Sequence, residues 1–458
     1  MSAISSDFNG SQETSPIFKD IIKSLNINKE LVPNLENPYL YCETPIQVIN
    51  AAVRAEDNEL LKKLLNRTDI NEENKFLIKH ILKADVATLS QIDVSVARKI
   101  YGSELNISPS KLEQFYKCPY AYLFKYGLKI NTREKIDFKF MQRGTIAHYV
   151  LEKILLNDFD KISNADVSEI KPLIDGYIIE YITASVGGND LLDGEANYLL
   201  KRISAMLYDL VPYVVKELKL SEFKPQRFEL KIGDDGEISP IKIEGDGFSA
   251  KIGGVVDRVD IAEFDGQAYI KIVDYKTGVK NFKLPDVLFG LNLQMLIYLC
   301  AICEDGKLGK MPAGIIYQPL NHIILSGVDK KSNNAAKSKG VLVEDVEIIK
   351  AMDPTGMYMP VSFNTDGSLS KTSSTLQLDE FEKVFEYVKK KFAEMCNRIV
   401  KGDISAIPCN ADSQHLTCSW CEYKNICGRT NEDASTTVRS MSKSEFIENI
   451  ERGNSDGI

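Results

Sequence analysis

Ile272-Val273-Asp274-Tyr275-Lys276-Thr277-Gly278, preceded by Gly253-Gly254-Val255-Val256-Asp257-Arg258-Val259-Asp260, decides how this chain folds. The apolar run before Asp274 reads as a strand. With a strand period of two, Asp274 and Lys276 point to one face. Phe248 to Val259 and Ala268 to Val273 are strand-like, and Glu263-Phe-Asp-Gly266 between them is a turn signal, so the two runs form an antiparallel hairpin. Upstream, after Pro225, Phe228, Leu230 and Ile232 alternate as another strand carrying Glu229. Downstream, a helix is expected over Val287–Cys303, with Gln294 and Tyr298 one turn apart. A strand over Gly314–Leu320, a strand or short turn over Val341–Lys350 and a long helix over Leu376–Val400 complete this half; Phe381, Val384, Phe385, Val388 and Phe392 keep the last in register.

Two acids and a lysine at the ends of adjacent apolar strands suit a particular chemistry. Phosphodiester hydrolysis needs an activated water, charge relief at the phosphate and stabilisation of the leaving oxygen, and carboxylate-held divalent metals supply all three. Mg²⁺ takes hard oxygen ligands and keeps several waters. Asp274 is expected to hold the metal while Lys276 orients water or bonds a phosphate oxygen, with Asp257 as the second acid. Asp-x-Lys alone occurs by chance in many proteins; Asp257 directly upstream and Gln294/Tyr298 downstream give it weight. Those two can contact the phosphate backbone or support the lysine. Asp260 reads as an arginine or solvent partner, and Glu229 equally as a supporting acid or a solvated strand carboxylate.

The first half of the chain is helical in pattern. Residues 1–14 are polar and expected to be loose. Short helices are expected from Pro45 and from Asn58, another over Glu72–Ile81 and one over Val86–Ile100, none with evident chemistry. Ser108-Pro109 is an N-cap followed by proline at the first helical position. The stretch Tyr116–Leu128 interleaves aromatics with lysines, a pattern that more often means core packing with solvated lysines than a base-stacking surface. From Gln142 another helix begins, with Ile146, Val150, Leu151, Ile154 and Leu155 at helical period, and places His148 and Glu152 on one face. A lone helical histidine is more often structural. Residues 161–224 continue as helix with a Gly187-Gly188 break, and Pro212 is expected to kink or divide the segment Tyr198–Lys219.

At 458 residues, 44% hydrophobic and 26% charged, the chain has an ordinary globular composition with room for two or three domains. A net charge of -9 gives no support for an overall basic nucleic-acid glove, although the region around His148 has a mild excess of Lys and Arg. Neither a membrane-length apolar run nor a signal-peptide pattern occurs, so a cytoplasmic protein without membrane attachment is expected. Nine cysteines in a reducing compartment point to buried thiols and a metal or iron–sulfur site. Cys418, Cys421 and Cys427 have the spacing C-x2-C-x5-C, a strong local ligand pattern. Cys409 or the distant Cys118, in Lys-Cys-Pro-Tyr, can supply a fourth ligand, and four thiolates serve zinc or [4Fe–4S] alike. Cys42, Cys300, Cys303 and Cys396 read as buried thiols.

Taken together, over roughly 105–430, these motifs resemble the nuclease region of the AddB/RexB family of helicase–nuclease subunits. That region is an iron–sulfur-stapled member of the RecB-like branch of PD-(D/E)xK nucleases. Gly144 and His148 match the family's Gly-x-x-x-His helix, Asp257 its Gly-x-x-Asp-Arg-x-Asp segment, Asp274 and Lys276 its Asp-x-Lys, and Gln294 and Tyr298 its Gln-x-x-x-Tyr helix. The resemblance implies an α/β restriction-endonuclease-like core, a central mixed sheet flanked by helices with helical N-terminal and insert segments. It further implies Mg²⁺ (or Mn²⁺) on His148, Asp257 and Asp274, and a [4Fe–4S] staple on Cys118, Cys418, Cys421 and Cys427, with structural zinc as the alternative and Cys409 a bystander. The implied organisation is a helical segment over 1–104, a nuclease domain over 105–430 closed by those cysteines, and a polar, disordered tail over 431–458. No P-loop is present, so the first hundred residues look like the remnant of a helicase-like region. The implied activity is a DNA exonuclease on the 5′-terminated single strand at double-strand breaks, working as a heterodimer with an AddA-like helicase–nuclease. The other readings are an idle DNA-binding or scaffolding module, a Cas4-like exonuclease and, less favoured, a small-molecule redox protein.

Overall fold

In the computed structural model the described residues are 4–6, 12–14, 24, 39, 42–55, 57–83, 90–130, 141–163, 165, 167–186, 194–278, 282–320, 337–370, 372–412, 415–429 and 433–455. The chain divides into two compact units, 1–87 and 88–458. In the first unit, helices Pro45–Arg54, Asn58–Leu65 and Glu72–Lys83 pack Ile49, Ala52, Leu61, Leu64, Ile70 and Ile78 into a small core. The expected loose N-terminus contains an antiparallel pair, Ile4–Ser6 with Gln12–Thr14.

The second unit is built on a six-stranded mixed sheet. Its strands are β1 (Lys224–Ile232), β2 (Gly254–Phe264), β3 (Gln267–Lys276), β4 (Met311–Pro319), β5 (Lys339–Val343) and β6 (Thr375–Leu376), in spatial order β6-β5-β4-β3-β2-β1. The hairpin β2–β3 turns through Asp265 and Gly266, both at positive φ (51° and 73°), the backbone that a tight two-residue hairpin requires. β3 pairs parallel with β4, so the sheet changes sense at its centre. Residues Ile270 to Tyr275 are buried without interruption, as expected of a central strand covered on both faces.

Helices α1 (Met141–Asn157), α2 (Gly194–Leu220), α3 (Gln294–Asp305), α4 (Leu378–Val400) and α5 (Lys443–Ser455) surround the sheet. Alternation divides the chemistry of β2 and β3 between the two faces. Asp257, Asp274 and Lys276 lie on one; Arg258, Asp260, Lys271 and Tyr275 lie on the other, where Glu217 of α2 meets them.

Several expectations are corrected. Pro212 does not divide α2, which runs through it, because Leu210, Val211, Val214 and Leu218 are all fully buried and packing overrides the lost hydrogen bond. The helix expected over Val287–Cys303 is two, Leu284–Leu288 and α3, broken where Gly290 (φ 77°) and Asn292 (φ 56°) take left-handed backbone. The run Phe248 to Val259 is also two strands. Phe248–Ile252 belongs to a separate three-stranded sheet, and Gly253 marks the break. The helix expected from Val86 begins at Val94, capped by Asp93, with 84–89 outside the described residues. Gly187-Gly188 also lies outside them. The tail expected to be disordered holds α5, whose Phe446 and Ile450 are fully buried, and Ser442 and Glu445 exchange the reciprocal bonds of a capping box at its start. Among the described residues, no helix is long and apolar enough to cross a membrane.

Candidate active site

The β2–β3 ladder ends at the pair Arg258/Val273, and the residues that come next are Asp257 and Asp274. Beyond that point the Tyr275 amide donates to Asp257 Oδ2 at 2.7 Å, so a carboxylate replaces the backbone acceptor and is fixed by it. α1 crosses the end of β3 at Gly144, where a Cβ would sit 3.3 Å from the Thr277 methyl. One turn later His148 Nε2 lies 2.9 Å from the Tyr275 carbonyl oxygen, and Nδ1 lies 3.6 Å from Asp257 Oδ2. Glu229 completes the group from β1. Its φ of 45° is rare for a non-glycine residue and is the kind of strain that gathers at functional sites.

Among the described residues, His148, Glu229 and Asp257 are the group whose ligand atoms all lie within 4.8 Å of one another. Asp274, expected in that set, lies outside it. It turns instead to Lys276, whose Nζ is 2.9 Å from Oδ1 and 2.7 Å from Oδ2, and to Gln294 Nε2 at 3.4 Å. Desolvation first, and the Asp257 charge second, push the Asp274 carboxyl up to about 6, against the pull of Lys276. The Asp257 charge and the Lys276 ammonium thus act on Asp274 in opposite directions. Partial burial and the Asp257 charge also raise Glu229.

Asp274 therefore takes up a proton on folding near pH 5, and without metal its contribution to stability is greatest below about pH 4 and is lost as pH rises through 6. A cation requires the deprotonated form. Divalent-metal affinity, measured by calorimetry in buffers of different ionisation enthalpy, is expected to fall steeply from pH 7 to 5 with about one proton released per ion at the lower end. A pH-independent affinity would contradict this arrangement.

Gln294 and Tyr298 are held by neighbours at the first turns of α3. The Gln294 amide donates to the buried Glu113 at 3.2 Å, which ties the start of α3 to helix Pro109–Lys117. Tyr298 is 5% exposed, with its hydroxyl bonded by the Val255 amide and Gln294; burial, then Asp274, push it up to about 12. Tyr298 packs against the backbone of Gly254, where an added Cβ would lie 2.3 Å from the hydroxyl oxygen. Gly254→Ala is expected to destabilise by about 1–3 kcal/mol through overpacking, and Tyr298→Phe to relieve part of that cost in the double variant; additive urea-denaturation losses would contradict the contact.

The open cleft beside these groups has a volume of about 450 Å³ and is lined by His148, Tyr149, Glu152, Tyr181, Glu229 and Lys276 among others. At a second place, Cys118, Cys418, Cys421 and Cys427 line one cavity of about 300 Å³, and Cys409 is not among its lining residues. Burial pushes the Cys118 thiol up to about 11 and also raises Cys427; the Arg429 guanidinium donates to Cys418 Sγ at 3.8 Å. Of the remaining thiols, Cys300, Cys303 and Cys396 are buried as expected, whereas Cys42 is half-exposed.

On the opposite face of the sheet is a cluster that sequence spacing does not reveal. Arg258 donates to both oxygens of Asp260 at 2.8 and 2.9 Å, Lys271 Nζ lies 3.1 Å from Asp260 and 3.4 Å from Glu217, and all four residues are at most 3% exposed. Asp260 has the arginine partner expected of it; Lys271 and Glu217 carry no sequence motif.

The profile of the PD-(D/E)XK nuclease superfamily matches residues 106–428. The chain is 32% identical over 380 residues to a subunit of the ATP-dependent helicase/deoxyribonuclease of Caldanaerobacter subterraneus subsp. tengcongensis, covering 77% of this chain and 32% of that one. It is 34% identical over 363 residues to the protein of that description from Clostridium kluyveri (73% and 31%), and 31% over 361 residues to that from Clostridioides difficile (74% and 31%). It spans about a third of the length of these curated relatives. With an α/β core of mixed sheet and flanking helices behind this cleft, the chain belongs to the PD-(D/E)XK nuclease superfamily, as a domain related to the AddB/RexB helicase–nuclease subunits.

Proposed function

We propose that this chain is a metal-dependent deoxyribonuclease, an exonuclease on the 5′-terminated single strand at double-strand breaks, with an AddA-like helicase–nuclease as partner and the cytoplasm as its setting. The observation that carries this reading is the convergence of His148, Glu229 and Asp257 beside a buried carboxylate paired with Lys276. The buried Asp274 carboxylate has the Lys276 ammonium 2.7 Å from Oδ2 and 2.9 Å from Oδ1, which joins the lysine to the acid at the edge of that group. His148 Nε2 lies at hydrogen-bond distance from the Tyr275 carbonyl, 2.9 Å, which leaves Nδ1, 3.6 Å from Asp257, to face a cation. His148, Asp257 and Asp274, with Glu229 as supporting acid, would hold Mg²⁺ or Mn²⁺. When bound, the ion supplies charge relief at the phosphate and an acidified water. Lys276, held by Asp274, orients the attacking water and bonds a phosphate oxygen. Gln294 and Tyr298 act as positioning residues, Gln294 on Asp274 and Tyr298 on the start of β2.

The four cysteines Cys118, Cys418, Cys421 and Cys427 line one cavity, which supports the reading that they hold a [4Fe–4S] cluster, with structural zinc as the alternative. A cluster there would join residue 118 to the segment 418–427 and serve as a staple.

The test is to purify the full chain anaerobically, measure its iron and zinc, and add Mg²⁺ to single-stranded DNA labelled at the 5′ or the 3′ end. Cleavage with Mg²⁺ and none in EDTA is expected, with the label order giving the polarity. Intact, iron-loaded protein that cleaves neither strand with Mg²⁺ or Mn²⁺ would leave a DNA-binding module instead.

A further inference from the structure

The cleft beside Lys276 is lined by groups of two chemistries, the polar His148, Glu229 and Lys276 and a tyrosine pair, Tyr149 of α1 and Tyr181 of helix Val167–Val186. The ring centroids are 5.3 Å apart and the planes meet at 56°. The Tyr149 hydroxyl donates to Glu180 at 2.6 Å, and Lys153 Nζ lies 5.4 Å from the ring centroid, so the ring is held from both its tip and the next helical turn. Both rings remain partly exposed, and both line the cleft. A pair serving the core alone would be closed off from that space.

A nucleotide has two matching halves, a phosphate that seeks cations and donors and a flat base that stacks on aromatic faces. We propose that Tyr149 and Tyr181 form a base-stacking subsite for the nucleotide flanking the phosphate at Lys276. The inference rests on the nuclease reading above and extends it to the kind of strand accepted. Because a paired base already has both faces covered by its neighbours in a duplex, the subsite selects an unpaired strand. Glu180, which holds the Tyr149 hydroxyl, repels a phosphate beside the rings, whereas the Lys276 ammonium attracts it. Every base has a π face, so the subsite carries no strong sequence preference.

The test compares an oligothymidylate with strands in which a single abasic residue is moved along the sequence, using the full chain with Mg²⁺. At the flanking position an abasic residue is expected to raise the wild-type KM about 10–100-fold. Tyr149→Leu and Tyr181→Leu, which keep apolar bulk, are expected to raise KM on the intact strand by a similar factor and to be insensitive to the abasic residue. Tyr149→Phe is expected to restore that sensitivity. Equal abasic penalties in wild type and leucine variants, or no penalty in any of them, would overturn the subsite. If no protein cleaves, the nuclease reading fails, and binding of a 2-aminopurine-labelled strand in EDTA decides the subsite separately. Fluorescence quenching by wild type that is lost in the leucine variants supports it; equal quenching, or duplex bound as tightly as single strand, overturns it.

Discussion

Lys276→Ala is expected to lower Mg²⁺-dependent DNA cleavage by about 10²–10³-fold, the usual cost of removing a preorganised charge from the reacting phosphate. The lysine has a second effect that the assay must separate from this one. Its charge holds the Asp274 carboxyl down against burial and Asp257, so its removal pushes that carboxyl further above its present value of about 6. Near pH 6 the variant would lose metal as well as chemistry. At pH 8 and saturating Mg²⁺ the carboxyl is ionised in both proteins, and the remaining deficit belongs to the reacting phosphate. Lys276 is half-exposed and, among the described residues, its Nζ bonds only Asp274, so the fold is expected to survive, as circular dichroism and the denaturation midpoint would show. Arginine is not an equivalent replacement, since a planar fork cannot reproduce a compact ammonium beside one carboxylate. A variant that cleaves within about threefold of wild type at pH 8 would remove Lys276 from the chemistry.

The extent to which this site is legible in the sequence follows from the range of each signal. Asp274 and Lys276 share a face because a strand alternates, and Asp257 is joined to them by one hairpin; both relations are local. His148 reaches Asp257 only through tertiary packing of α1 on β3, and the family motif, not any spacing, points to it. Glu229 is half-legible. Alternation places it on a strand, but nothing in the pattern announces the left-handed backbone at that residue, which accompanies its place beside Asp257. That Asp274 is held by Lys276 and Gln294 and lies outside the His148 group is a matter of atomic distances, which no sequence pattern announces. Elsewhere the signals are present and outweighed. Gly290 and Asn292 interrupt an apolar run that looks continuously helical, and Ser442-Lys-Ser-Glu445 is a capping box at the head of a helix otherwise too polar to notice. Lys271 and Glu217 cannot be read, because a buried charge is identified only by partners from distant segments.

Asp260→Ala is expected to be the most destabilising single change near the site, by about 3–5 kcal/mol, the cost of leaving buried charges unpaired. Burial alone would raise the Asp260 carboxyl; Arg258 and Lys271 together overcome that and hold it below the usual carboxylate range. Removing it leaves two buried cations facing the single carboxylate of Glu217, which lies 3.8 Å from Arg258 and 3.4 Å from Lys271. Against a typical domain stability of about 5–15 kcal/mol this loss is large, and urea denaturation would show it as a shifted midpoint with little change in slope. The effect should extend to the cleft, because Arg258 also takes the Tyr275 hydroxyl as acceptor at 2.6 Å. Tyr275 stands between Asp274 and Lys276, gives its amide to Asp257 and offers its carbonyl to His148, so its side chain anchors through the sheet the backbone that aligns all four. Tyr275→Phe separates the two roles. It removes only the hydroxyl bond, at about 1.5–3 kcal/mol for a bond to a charged group, and a fall in metal affinity beyond the loss of stability would show that the buried network aligns the site. Metal affinity unchanged in Tyr275→Phe, together with less than about 1 kcal/mol lost in Asp260→Ala, would reduce the network to packing.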